Sequence, residues 1–109
     1  MAEKSPKRLK IEQALAEDPG DPFLRYGLAV QCLREGEIVE GRDLLHALIA
    51  ERPDEVAACQ QLGQSYMETE EHDEARKALT QGLARAKKVR DHHAQAEISG
   101  LLDQMEGHD

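Results

Sequence analysis

The chain has 109 residues, enough for one domain or a short repeat array, and 39% of them are apolar against 33% charged. A net charge of −8 argues against nucleic acid and anionic membranes, and one Phe, two Tyr and no Trp leave little for base stacking. The uncharged runs fall far short of the roughly 20 residues a bilayer requires, and MAEKSPKRLK puts charge where a signal peptide carries its apolar region. Cys32 and Cys59 have neither metal nor redox spacing, so a cytoplasmic protein is expected.

In chain order, a first helix-like run is broken at Asp18-Pro19. The stretch 22–35 then reads as a helix, with Pro22 suited to its first turn. Glu35-Gly36-Glu37 makes a turn, and 38–51 forms a second helix until Pro53 stops it. The arrangement recurs as 56–69, a turn at Glu70-Glu71-His72, and 73–86. Pro19 and Pro53 lie 34 residues apart, and the same offset carries Leu28 to Leu62, Ala29 to Gly63, Cys32 to Tyr66, Gly41 to Ala75 and Leu45 to Leu79. One matched pair would mean nothing, but a whole register held at one offset is an internal repeat. Gly or Ala at 29, 41, 63 and 75 lets the two helices of each unit approach closely. Over residues 88–107, Ala94, Ile98, Leu101 and Met105 form one apolar stripe, with Asp91, Gln95 and Asp103 on the other side. That suits a terminal helix with a wettable outer face.

The second unit resembles a tetratricopeptide repeat, with the pattern Trp-x2-Leu-Gly-x2-Tyr, then Ala-x3-Phe, then Pro. Leu62-Gly63-Gln64-Ser65-Tyr66 and Asp73-Glu74-Ala75-Arg76-Lys77-Ala78-Leu79 occupy those slots, with Cys59 in the place of Trp. The first unit is looser, with Arg25 in the Trp slot, and residues 5–19 resemble the second helix of a preceding unit through Ile11, Ala14, Leu15 and Pro19. The resemblance implies an all-α fold of antiparallel helical hairpins stacked as a right-handed superhelix. It divides a single domain over 1–109 into a leading helix (5–19), repeat 1 (22–53), repeat 2 (56–87) and a C-terminal capping helix (88–107).

Catalytic and metal-binding patterns are scarce. Gly36 and Gly41 lead into Glu37 and Arg42, not into the Gly-Lys-Ser/Thr of a phosphate loop. Gly63-Gln64-Ser65 begins like a nucleophile elbow, but Met67 replaces the closing Gly, and Ser65 reads better as a helix-surface hydroxyl. His92 and His93 are neighbours, about 100° apart on a helix, and His46 has Arg42 and Ala50 one turn away. His72 and His108 complete the set, and solvated surface histidines are the expectation. The acidic run Glu68, Glu70, Glu71, Asp73, Glu74 lacks the alternating ligands, central Gly and closing Glu of a calcium loop. Acids at that helix start and Arg85, Lys87, Lys88 and Arg90 at its end instead complement the helix dipole. No enzyme, no metal and no cofactor is expected.

In the family resembled, the first helices of successive units line a concave groove that takes extended or helical peptides. By that resemblance Phe23, Tyr26, Val30 and Leu33, a stripe beyond what the repeat's packing needs, face the groove. Gln60, Gln64 and Met67 join them from the next unit, beside Ala57. Family members that clamp the C-terminal carboxylate of heat-shock proteins use Lys, Asn and Arg where this chain has Tyr26, Val30, Gln61, Asp91 and Gln95, so that clamp is absent. Residues 35–74 carry twelve acids and two bases, which favours a basic or apolar partner segment. The expected function is therefore non-catalytic protein or peptide binding. The alternative is structural self-association, as a homodimer or within a larger assembly, through the same apolar stripe. A third arrangement, in which the N-terminal segment or the C-terminal helix covers Phe23 and Tyr26, needs no partner.

Overall fold

The structure is a computed structural model and describes residues 4–106. The ends of the expected 1–109 domain, His108 included, lie outside the described residues. Among the described residues there are six helices and no strand: α1 (Pro6–Glu17), α2 (Pro22–Arg34), α3 (Ile38–Glu51), α4 (Ala57–Glu68), α5 (His72–Lys88) and α6 (His92–Glu106). The chain folds as two compact units, Met1–Leu48 and Ile49–Asp109, so the division falls inside α3.

In the first unit, two helices start alike. Ser5 caps α1 by accepting from the Arg8 N–H, and Asp21 caps α2 by accepting from the N–H groups of Phe23 and Leu24. In both, Pro follows the cap, where its missing N–H costs nothing. Leu28, Ala29, Cys32, Leu45 and Leu48 are buried, and Ile11 of α1 reaches within 3.9 Å of the place a Cβ on Gly27 would take. Gly41 of α3 sits against the Ala29 carbonyl and the Leu33 side chain so closely that a Cβ there would come within 3.0 Å of both.

Arg8 is the unexpected member of this unit, with only 4% of its surface exposed. Its Nη2 donates to both carboxylate oxygens of Glu40, at 2.8 and 2.9 Å. Glu35 lies 3.7 Å from Nη1, and Glu12 lies 3.5 Å from Nε without hydrogen-bond alignment. Burial works against the charged guanidinium, but the Glu40 hydrogen bond and the surrounding negative charge hold its pKa above the usual arginine value. Glu35 also accepts from the Ser5 hydroxyl (2.7 Å) and the buried Gln31 amide (2.8 Å). This network ties α1 to α2 and α3.

The second unit is built on α4, α5 and α6. Val56, Ala75, Leu79, Ala86, Ala94, Ile98 and Met105 form its buried cluster, with Tyr66, Met67, Leu83, Leu101 and Leu102 packed against it. Each fully buried Leu or Ile there contributes about 1.5–3 kcal/mol. Gly82 of α5 admits both neighbours: a Cβ on it would lie 2.9 Å from Cys59 Cβ of α4 and 3.3 Å from Ile98 of α6. Arg85 closes the exposed carbonyls at the end of α3, donating to Ile49 O, Arg52 O and Glu55 O at 2.9–3.2 Å. Helix α5 carries acids in its first turn and Arg85, Lys87 and Lys88 in its last.

Two details differ from the sequence expectation. Helix α5 continues to Lys88, and the last helix starts at His92, not at 88, because Val89–Asp91 form a turn. Arg90 takes a positive φ there and the Asp91 carboxylate caps α6 through the Ala94 N–H. Ser65, expected on the helix surface, is buried instead. It shares with Ala58 and Leu62 the face of α4 that is turned inward.

Candidate functional site

The residues expected to line a groove fall into both units. On α2, Phe23 stands in the first turn and is 85% exposed, while Tyr26 and Val30 are half-buried. Leu33 is half-buried too, and its Cγ and Cδ2 cover Gly41 of α3. On α4, Gln60 and Gln64 are half-buried, and Met67 packs against the buried cluster of its unit. Leu33 and Met67 stand one offset of 34 apart, and both serve packing inside their own unit.

A concave site opens within the second unit. A cleft of about 740 Å³ is lined by Gln64, Met67 and Glu68 of α4, Glu70 and His72 of the following turn and helix start, and Leu101, Gln104 and Met105 of α6. Met67, Leu101 and Met105 give it an apolar wall, because Met105 belongs to the buried cluster and Met67 and Leu101 pack against it. The polar edge has a separate origin. Helix α4 stops because Glu70 turns the chain with a φ of 59°, and the Glu71 N–H bonds back to Tyr66 O at 2.9 Å. The last residue of α4 and that turn place Glu68 and Glu70 in the lining beside the wall. Gln60 does not belong to the lining, and the α6 residues were legible only as a core stripe.

The lining of the cleft offers apolar contact and amide and carboxylate hydrogen-bonding groups. Ser65, the one residue with a nucleophile-like context, is buried within α4. His46, His72, His92 and His93 are all exposed, and His93 pairs with Glu97 at 3.2 Å. Among the described residues no three His, Cys, Asp or Glu side chains converge as metal ligands would. The thiols of Cys32 and Cys59 are free and buried, and burial pushes the pKa of each up. No helix among the described residues is long and apolar enough to cross a membrane.

A family model described as tetratricopeptide repeat matches residues 32–98, more than half of the chain. No curated protein and no solved structure matches it.

Proposed function

The chain belongs to the tetratricopeptide repeat family, whose domains generally mediate protein–protein interaction, and from that premise we propose that it is a non-catalytic, cytoplasmic binding module for a peptide segment of another protein. The observation that carries this reading is the cleft between α4 and α6, apolar along Met67, Leu101 and Met105 and edged by Gln64 and Gln104. Grooves of this composition take up extended or helical segments by burying side chains against the wall and aligning polar groups at the rim. Of the groove residues expected from sequence, Gln64 and Met67 carry this proposal; Phe23, Tyr26, Val30 and Leu33 of the first unit, and Gln60 of the second, remain to be tested separately. The test is selection of random short peptides displayed on phage against the immobilised protein and against a Gln104→Trp variant. Gln104 is exposed, so the bulky side chain occludes the cleft without entering the core. Enrichment by the natural chain that is lost in the variant supports the cleft; enrichment that survives the substitution excludes it.

A second reading, self-association, is favoured by the exposure of Phe23 (85%) and Val39 (74%) in the first unit. Light scattering on dilute protein decides it: a dimer that Phe23→Glu converts to monomer supports self-association, and a folded monomer removes it.

A further inference from the structure

Granting the binding cleft in the second unit, the charges around it narrow what can occupy it. Glu68 and Glu70 line the cleft, and no Lys or Arg does. Neither carboxylate has an ion-pair partner among the described residues. Glu70 and His72 also belong to an adjoining hollow of about 490 Å³ whose other lining residues are Glu71, Asp73 and Glu74. Around it Arg76 lies 3.7 Å from Asp73, whose side chain is fully exposed, and Thr69 donates to Glu71. An occupant of the cleft therefore meets an apolar wall rich in methionine on one side and a run of carboxylates on the other.

We infer that the cleft takes a basic amphipathic segment of a partner protein, one with an apolar side chain against Met67, Leu101 and Met105 and Lys or Arg flanking it over Glu68 and Glu70. The two methionines suit an anchor of loosely defined shape, because the unbranched thioether adapts to different aliphatic or aromatic side chains. Discrimination then rests on charge. An acidic segment is repelled by the rim, and a neutral one gains only the contact with the wall.

The same peptide selection tests this with a different readout. Enriched sequences are expected to place Lys or Arg beside an apolar residue, and synthetic peptides of that composition should bind about tenfold more weakly when Glu68→Lys and Glu70→Lys are combined. Their affinity should also fall as salt rises from low to physiological levels. Both glutamates are exposed, so the double variant keeps the fold, which circular dichroism verifies. Enrichment of neutral or acidic sequences that Gln104→Trp abolishes overturns the basic partner and leaves the cleft standing. Binding of basic peptides indifferent to both the charge reversal and salt also overturns it. Absence of any enrichment, or enrichment untouched by Gln104→Trp, overturns the inference together with the cleft.

Discussion

Three helix ends turn through a residue of positive φ: Gly36 (83°) after α2, Glu70 (59°) after α4 and Arg90 (59°) after α5. In each, the N–H of the next residue reaches back to a helix carbonyl at 2.9 Å, Glu37 to Cys32, Glu71 to Tyr66 and Asp91 to Ala86. Only the first uses glycine, which takes this backbone without a Cβ penalty. Arg90→Gly and Glu70→Gly should each stabilise the protein by about 0.5–1 kcal/mol, the relief of left-handed strain less the entropy that glycine adds to the unfolded chain. Urea unfolding of the variants measures it; unchanged midpoints would contradict the strain. Glu70→Gly should in addition lose affinity for basic peptides, whereas Arg90→Gly should not. Glu35 gives a pH-dependent counterpart. The Ser5 hydroxyl, the Gln31 amide and Arg8 hold its pKa below the ordinary 4.5. Its stabilising contribution is therefore fully present above the unfolded-chain value and is lost as pH falls through the lowered folded value. Glu35→Gln should flatten the acid side of a thermal-midpoint-against-pH profile, and an unaltered profile would remove Glu35 from the α1 anchor.

At the scale of helix pairs, the two units solve one packing problem in opposite senses. Ala29 and Gly41 meet across α2 and α3, and Gly63 and Ala75 meet across α4 and α5. Positions 29 and 63 correspond at the offset of 34, as do 41 and 75, so the glycine has changed helices while the pair kept one methyl group in total. A Cβ on Gly63 would lie 2.5 Å from Leu79, which is fully buried and cannot retreat. Gly63→Ala should thus lose stability: overpacking costs about 1–3 kcal/mol, against a gain of up to about 1 kcal/mol in helix propensity. Urea unfolding of Gly63→Ala measures the balance, and an unchanged or raised midpoint contradicts the overpacking. Gly100 of α6 has nothing within 4 Å of its missing Cβ, so Gly100→Ala should gain up to about 1 kcal/mol. The small residues at these four positions were visible in the sequence because apolar register repeats with the chain. The Arg8 anchor was not read, since a buried charge is decided by carboxylates 27 and 32 residues away. A trace of it was present all the same: arginine recurs at that offset at Arg8, Arg42 and Arg76.

At the scale of the molecule, the all-α class and the family were legible because helix breakers and apolar spacing are local properties, summed over two repeats. The cleft was less so. Helical periodicity assigns a residue to a broad face, and it cannot tell a side chain that closes a core from one that borders a surface hollow. Leu33, expected in the groove, packs within its unit, Met67 both packs within its unit and lines the cleft, and Leu101 and Met105, expected as an apolar stripe, line the cleft as well. Glu68 and Glu70 were legible only as part of an acidic stretch favouring a basic or apolar partner, because their place beside an apolar wall depends on α6, about thirty residues further along the chain.

The two cysteines, finally, divide between the units: Cys32 in Met1–Leu48 and Cys59 in Ile49–Asp109, each wholly inaccessible and with its thiolate disfavoured by burial. A thiol reagent can reach either sulfur only through an opening of the surrounding helices, so modification of the native chain should run about 1,000-fold or more below that of the unfolded chain. Rapid labelling of either cysteine in the native state would contradict its burial. With Cys32→Ala and Cys59→Ala each leaving a single reporter, the chain supplies two stopwatches, one per unit. Equal readings mean that the repeats open as one cooperative body, and unequal readings rank which half lets go first.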